Sequence, residues 1–182
     1  PFLSENVTTF WKSFHMSLSL WFSDYLFKQL SFKYRRWGKY ASVYAVFVTF
    51  TLFGIWHGAG WNFMVLGFIQ AVALNYEFFT KPQRVNIFSK MPDIIKKWSG
   101  RLFTYLFFCG SLIFFFSSDI ETAFSYFLGL ARFDPSIHQY MGISGKMLLL
   151  ALVFSFILLF FEILDNDYRT EYNIIERYWN NH

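Results

Sequence analysis

The chain has 182 residues, 55% of them hydrophobic and 25% aromatic, including 27 Phe, 11 Tyr and 7 Trp. A soluble domain of that length has no interior for so many large rings, and a 15% share of charged residues lies well below the roughly 25% of ordinary globular chains. The net charge of +4 is gathered in two linkers beside apolar segments rather than on a basic stripe, which argues against nucleic-acid binding and for an integral membrane protein.

Residues 6–27 open the chain with Trp11, Phe14, His15, Leu18, Phe22 and Tyr25 at three- and four-residue spacing, while Lys12, Ser13, Ser23 and Asp24 fall off that stripe. This is the pattern of one amphipathic helix, capped at Asn6 or Thr8. It is too polar to span, so it is expected to lie at the interface or to re-enter against other helices. A basic linker follows, with Lys28, Lys33, Arg35, Arg36 and Lys39. From Tyr40 to Tyr76 there is no Asp, Glu, Lys or Arg over 37 residues. Gly58 and Gly60 divide that run into two arms, giving expected membrane helices over 40–56 and 61–79. Seventeen helical residues cover about 26 Å, just enough to cross the hydrocarbon.

The second basic linker holds Lys81, Arg84, Lys90, Lys96, Lys97 and Arg101, and its Pro82 and Pro92 are expected to stop any continuous helix. Further membrane helices are expected over 102–118 and 147–164. Between them, Ile120 to Leu130 reads as a short interfacial helix and Pro135, Gly142 and Gly145 as loop. The tail 165–182 is charged and aromatic. The whole reads as an all-α, polytopic bundle in the lipid bilayer. The linkers at 28–39 and 81–101 carry five and six Lys/Arg against two in 119–146, so the positive-inside tendency places the linkers in the cytoplasm and the Gly58–Gly60 turn outside. A chain that begins at Pro1 without a signal-peptide layout is expected to be the C-terminal part of a longer protein.

His57 lies within Trp56-His57-Gly58-Ala59-Gly60-Trp61-Asn62, in the middle of the uncharged run. Ionisable groups at membrane depth are costly, face interior cavities and take part in function. A neutral imidazole that accepts a proton from a hydroxyl is a general base, an effect worth roughly 10²–10⁴ in rate. His15, on the apolar stripe, is the second candidate. The bland reading of either is a core histidine satisfied by a backbone carbonyl. The four histidines show no metal-ligand spacing, and the lone Cys109 cannot complete a thiolate site, so no metal or bound cofactor is expected. No serine-nucleophile elbow or phosphate loop is present. Asp24 could fix an imidazole, but capping a helix end or pairing with Lys28 four residues on is the favoured reading. A transport component that uses the histidines as a proton relay is the alternative.

The stretch from Phe10-Trp11-Lys12-Ser13-Phe14-His15-Met16-Ser17-Leu18-Ser19-Leu20-Trp21-Phe22-Ser23-Asp24-Tyr25-Leu26, followed by Gly54 to Asn62 and then Phe114-Phe115-Phe116 with Asp119 to Phe124, resembles the membrane-bound O-acyltransferase family. The likeness is to its bacterial branch of alginate O-acetylation and D-alanyl transfer to teichoic acid. Ser13, Phe14 and Ser23 stand where that pattern often has Arg, Trp and Arg, and Phe116-Ser117-Ser118 replaces a common Phe-Arg-Ala. The resemblance implies a multi-pass enzyme of the inner (plasma) membrane that moves an acyl group, acetyl by default. It implies a cytoplasmic thioester donor, acetyl-CoA or an acyl-carrier protein. The implied acceptor is an extracytoplasmic polysaccharide or cell-wall polymer, served by a secreted or periplasmic acyltransferase partner. His57 would be the catalytic base and His15 a second polar residue of the reaction tunnel. Asn62, Ser17, Asp24, Trp56 and Trp11 would support them. The resemblance also implies further N-terminal helices, without which this piece would be inactive alone.

Overall fold

A computed structural model describes residues 1–89, 91–132, 150, 153–155 and 157; among them every regular element is helical. Contacts divide the chain into two units, residues 3–124 with Pro1, and residues 125–182 with Phe2. The expected helix over 147–164 falls almost entirely outside the described residues. Three helices are long and apolar enough to cross a membrane: α4 (Lys39–His57), α5 (Trp61–Phe88) and α6 (Asp93–Phe116). Their exposed surfaces carry large apolar side chains such as Trp61, Phe68, Tyr76, Leu102 and Phe103. The all-α membrane architecture expected from composition is therefore present.

Helix α5 shows the arrangement most clearly. Its buried face carries Asn62, Gln70, Asn75 and Glu77 beside Leu66, Gly67 and Ala71, while Trp61, Phe68, Val72, Tyr76 and Phe78 are exposed. Lipid solvates apolar side chains well, so polar groups turn inward to meet one another. At 28 residues the helix is about 42 Å long, more than the roughly 30 Å of hydrocarbon. Its polar end beyond Glu77 therefore extends past the apolar layer. Pro82 does not stop it. The ring removes the backbone donor to the Phe78 carbonyl, a cost the helix absorbs, and one turn on the Arg84 guanidinium donates to the Glu77 carbonyl at 3.1 Å. Pro92 does mark a boundary, immediately before α6 begins at Asp93. The latter helix thus takes in Lys96, Lys97 and Arg101, which were expected in a linker, and ends at Phe116 rather than 118.

Helices α4 and α5 form a tight hairpin joined at Gly58 and Gly60. A Cβ on Gly54 would run into the backbone carbonyl of Phe63, and one on Gly67 into that of Phe50. The two positions are reciprocal, and small residues there let the backbones touch, the usual way membrane helices gain close packing. Helix α6 lies against α5 and is fastened by polar ties. The Gln70 amide donates to the Ser111 hydroxyl at 2.8 Å, and Ser111 in turn donates to the Phe108 carbonyl. Leu66, Phe114 and Ala123 form an apolar cluster that seats the start of α7 (Ile120–Ala131). Asp119 opens that helix, accepting from the Thr122 backbone N–H at 2.8 Å and from the hydroxyls of Ser118 and Thr122.

Residues 6–27 are not one helix. They form α1 (Val7–Ser13), α2 (Met16–Phe22) and a π-helical turn (Ser23–Phe27) that runs into α3 (Lys28–Lys33). The break is at Phe14, which is extended, and His15, which is left-handed at φ 49° and ψ 47°. Apolar periodicity reports which face is buried and continues across a reversal if both arms bury the same face, which is why the break was invisible in the pattern. Trp11 bonds Gln70 and packs on Phe50 and Phe53, His15 lies beside Phe53 and Trp56, and Tyr34 packs on Tyr44. The segment therefore runs along α4 toward the Gly58 end, turns at His15 and comes back. It is a re-entrant hairpin with His15 at its tip.

Two outcomes follow. Gly54→Ala is expected to destabilise the helical hairpin by about 1–3 kcal/mol, because backbone must move to admit the methyl; a thermal-unfolding midpoint equal to that of the parent protein would refute this packing. The Asp119 carboxyl is held below its ordinary range, chiefly by the Thr122 N–H and then by the Ser118 and Thr122 hydroxyls. Its capping is complete above the unfolded value of about 3.9 and is lost as pH falls through the lower folded value. Protection of the Thr122 amide from hydrogen exchange should fall across that acid window, and should lose this pH dependence in Asp119→Asn.

Candidate functional site

His57 is the last residue of α4, half-buried where the helix gives way to Gly58. Its ring is packed edge-on against three aromatic rings: Phe53 one turn earlier at 5.3 Å, Trp56 at 4.8 Å and Phe115 of α6 at 5.1 Å. Phe53 is buried, with 6% of its surface exposed, so it forms a fixed floor. Phe115 also meets Phe63 of α5, which ties the wall to the helical hairpin.

His15 reaches the same floor from the other side. Its ring lies 6.5 Å from Phe53 and 6.2 Å from Trp56, in both cases edge to face. The two imidazoles, 42 positions apart in the chain, thus border one pair of aromatic rings. Among the described residues His15 is the one non-glycine with positive φ. Such a conformation costs about 1–3 kcal/mol and clusters at functional sites, although histidine tolerates it better than most residues. Among the described residues neither imidazole hydrogen-bonds to another group of the chain. The arrangement offers two proton-handling rings around a common aromatic edge, with Trp56 and His15 exposed. Among the described residues no three His, Cys, Asp or Glu side chains gather as a metal site.

The other expected site residues are placed more widely. Trp11 lies under the pair, with its indole N–H on Gln70 and its ring against Phe53. Trp56 is in direct contact with both histidines. Ser17 is exposed two residues after His15, on the first turn of α2. Asp24 pairs with Lys28 at 2.8 Å along the helix, as its spacing predicts. Asn62 is 2% exposed, and its amide donates to the carbonyls of Phe114 and Ser117, both at 3.0 Å. That side chain closes the end of α6.

Sequence reasoning passed over Phe53, Phe115, Gln70 and Glu77. The first two are hidden in a chain with 27 phenylalanines. Gln70 and Glu77 had a signal: both lie in an otherwise apolar arm, seven residues apart and so on one helix face. Glu77 is the carboxylate that immediately follows the uncharged run and lies inside the expected 61–79 helix. Both of its oxygens are occupied by α1, accepting from the Val7 N–H at 2.7 Å, the Thr8 N–H at 2.9 Å and the Thr8 hydroxyl at 2.7 Å.

No family model matches the chain. Individual proteins do. The chain is 39% identical over 87 residues to a teichoic acid D-alanyltransferase of Bacillus subtilis, covering 44% of this chain and 22% of that protein. It is 38% identical over 95 residues to a probable alginate O-acetylase of Pseudomonas syringae, covering 48% and 17%. A peptidoglycan O-acetyltransferase of Helicobacter pylori is 30% identical over 132 residues, covering 71% and 24%. The matched stretch is thus a quarter or less of the length of each of these relatives.

Asn62→Ala is expected to destabilise the protein by about 1–3 kcal/mol, because two carbonyls at the end of α6 lose their donor. Thermal unfolding checks this; an unchanged midpoint would mean that the amide is not holding the helix end.

Proposed function

Because the chain belongs to the membrane-bound O-acyltransferase family, we propose that it carries the catalytic imidazoles of an enzyme that transfers an acyl group to hydroxyls of an extracytoplasmic polysaccharide or cell-wall polymer. The observation that carries the proposal is the convergence of His57 and His15 on Phe53 and Trp56. The three relatives named above are transferases that, by their names, act on teichoic acid, alginate and peptidoglycan.

In the proposed reaction His57 takes the proton of an acceptor hydroxyl as the oxygen attacks the carbonyl carbon of a thioester. The new C–O bond forms, the carbonyl oxygen becomes an oxyanion, and His15 donates a hydrogen bond to it. Collapse breaks the C–S bond, and the proton held by His57 passes to the departing thiolate. Donor thioester and acceptor would approach from opposite faces of the inner membrane, in keeping with basic linkers at the end of the bundle away from Gly58. The donor is acetyl-CoA or an acyl-carrier protein, and a secreted or periplasmic acyltransferase would receive or relay the group. A proton-relay transport reading is less well supported, since the Glu77 carboxylate of α5 is committed to the α1 backbone and not to either imidazole.

His57→Ala in the full-length protein is expected to lower acyl transfer to surface polymer by about 10²–10⁴-fold at unchanged membrane levels. Transfer at the parental rate would sink the catalytic assignment.

A further inference from the structure

We propose that Glu77 is the positioning residue for His15: its carboxylate fixes how deep the re-entrant hairpin sits, and so holds the imidazole at its tip beside Trp56. This rests on the functional reading above only for its activity arm.

Glu77 lies in a span, is 9% exposed and directs both oxygens at the first turn of α1. A helix starts with N–H groups that have no partner within it, and where such an end is packed against another helix, as at the buried Val7, the protein must supply one. Here each is accounted for. Glu77 takes the Val7 and Thr8 N–H groups, the Asn6 side chain takes that of Thr9 at 2.8 Å, and the Asn6 carbonyl takes that of Phe10. A carboxylate at this end also complements the positive pole of the helix. With seven residues, α1 is too short to be stable by itself, so its placement comes from what it is tied to.

The ties form a ladder along α5. Glu77 holds the start of α1, and Gln70, two turns nearer the Gly58 end, holds Trp11. Below the second tie the chain reverses at His15. Thr8 lies in α1 and His15 only two residues beyond its last residue, Ser13, so a slip at the anchor is carried to the tip. Gln70 offers one acceptor to one indole, and the buried Phe10 packs on Phe108 of α6 with ring centroids 4.2 Å apart, a contact without the directionality of a hydrogen bond. Glu77 offers two oxygens to three donors, which sets both depth and rotation. An amide in its place would turn an NH₂ group toward backbone N–H groups, and the carboxylate is therefore required as well as the shape.

The test uses the full-length protein in native membranes. One arm measures kcat and KM for acyl transfer, normalised to folded protein. Glu77→Gln is expected to lower kcat on the order of 10²-fold with KM little changed, since misplacement by about 1 Å is enough for that loss. Glu77→Asp, which keeps the charge, should recover part of the loss. The other arm reads position without activity. In a Cys109→Ser background, His15→Cys with Trp56→Cys should be joined efficiently by a short bismaleimide, and Glu77→Gln should reduce the yield. If Glu77→Gln does not reach the membrane folded, Thr8→Val is the substitute, because it deletes only the hydroxyl donor; the same changes are expected in smaller size. Parental kcat and parental cross-linking in the folded variant would overturn the proposal. A reduced cross-link beside a fully active His57→Ala protein would retain the anchor and remove the catalytic reading instead.

Discussion

A short helix whose first residue is buried against a neighbouring helix must find partners for its backbone N–H groups inside the protein. That constraint organises this structure. It is met by a carboxylate of a neighbouring span, and the carboxylate is affordable there because three donors surround it. Once α1 is tied down at Glu77 and again at Gln70, its direction along α4 and α5 is settled. The turn at its far end then falls beside Phe53 and Trp56 and not elsewhere. The packing of Phe10 and Phe14 on Phe108 then holds the arm whose register this capping sets.

The scaffold that receives the hairpin is built from different material. Gly54 and Gly67 allow the α4 and α5 backbones to touch, and the Asn62 amide and the Gln70–Ser111 bond attach α6. Hydrophobic burial adds little between helices in lipid, so steric fit and internal hydrogen bonds carry the assembly. Polar side chains in the spans are thus mostly structural. The imidazoles differ from them, for among the described residues each packs edge-on against aromatic rings and neither is tied by a hydrogen bond within the chain.

Much of this could be read from the residues, and the exceptions have physical causes. The spans followed from the uncharged runs and the hairpin from Gly58 and Gly60, because lipid leaves so few alternatives. His57 and His15 stood out as ionisable groups among apolar ones. Pro82 is tolerated because proline only disfavours a helix, and one lost backbone bond is a small part of a 28-residue helix. The break at His15 escaped notice because both arms of the re-entrant hairpin bury the same stripe. Asn62 looked like a partner for His57, its near neighbour in sequence, but its amide points across to the end of α6. Glu77 falls near the end of the expected 61–79 helix without a role, since sequence gives no sign that the N-terminus of another helix waits beside it.

The π-helical turn between α2 and α3 acts as a phase shift. Each such turn accommodates one residue more than an α-helix would, and so rotates everything after it by about 100° relative to what precedes it. Met16 to Phe22 can therefore face Phe53 through Phe22, while the later part of the same arm presents Tyr34 and Trp37 to Tyr44. The aromatic clasp at the basic end and the histidine tip at the other are thereby set independently, with the phase between them fixed by a single surplus residue. In such a design a one-residue deletion within 23–27 changes the rotational setting of the return arm while leaving its composition intact.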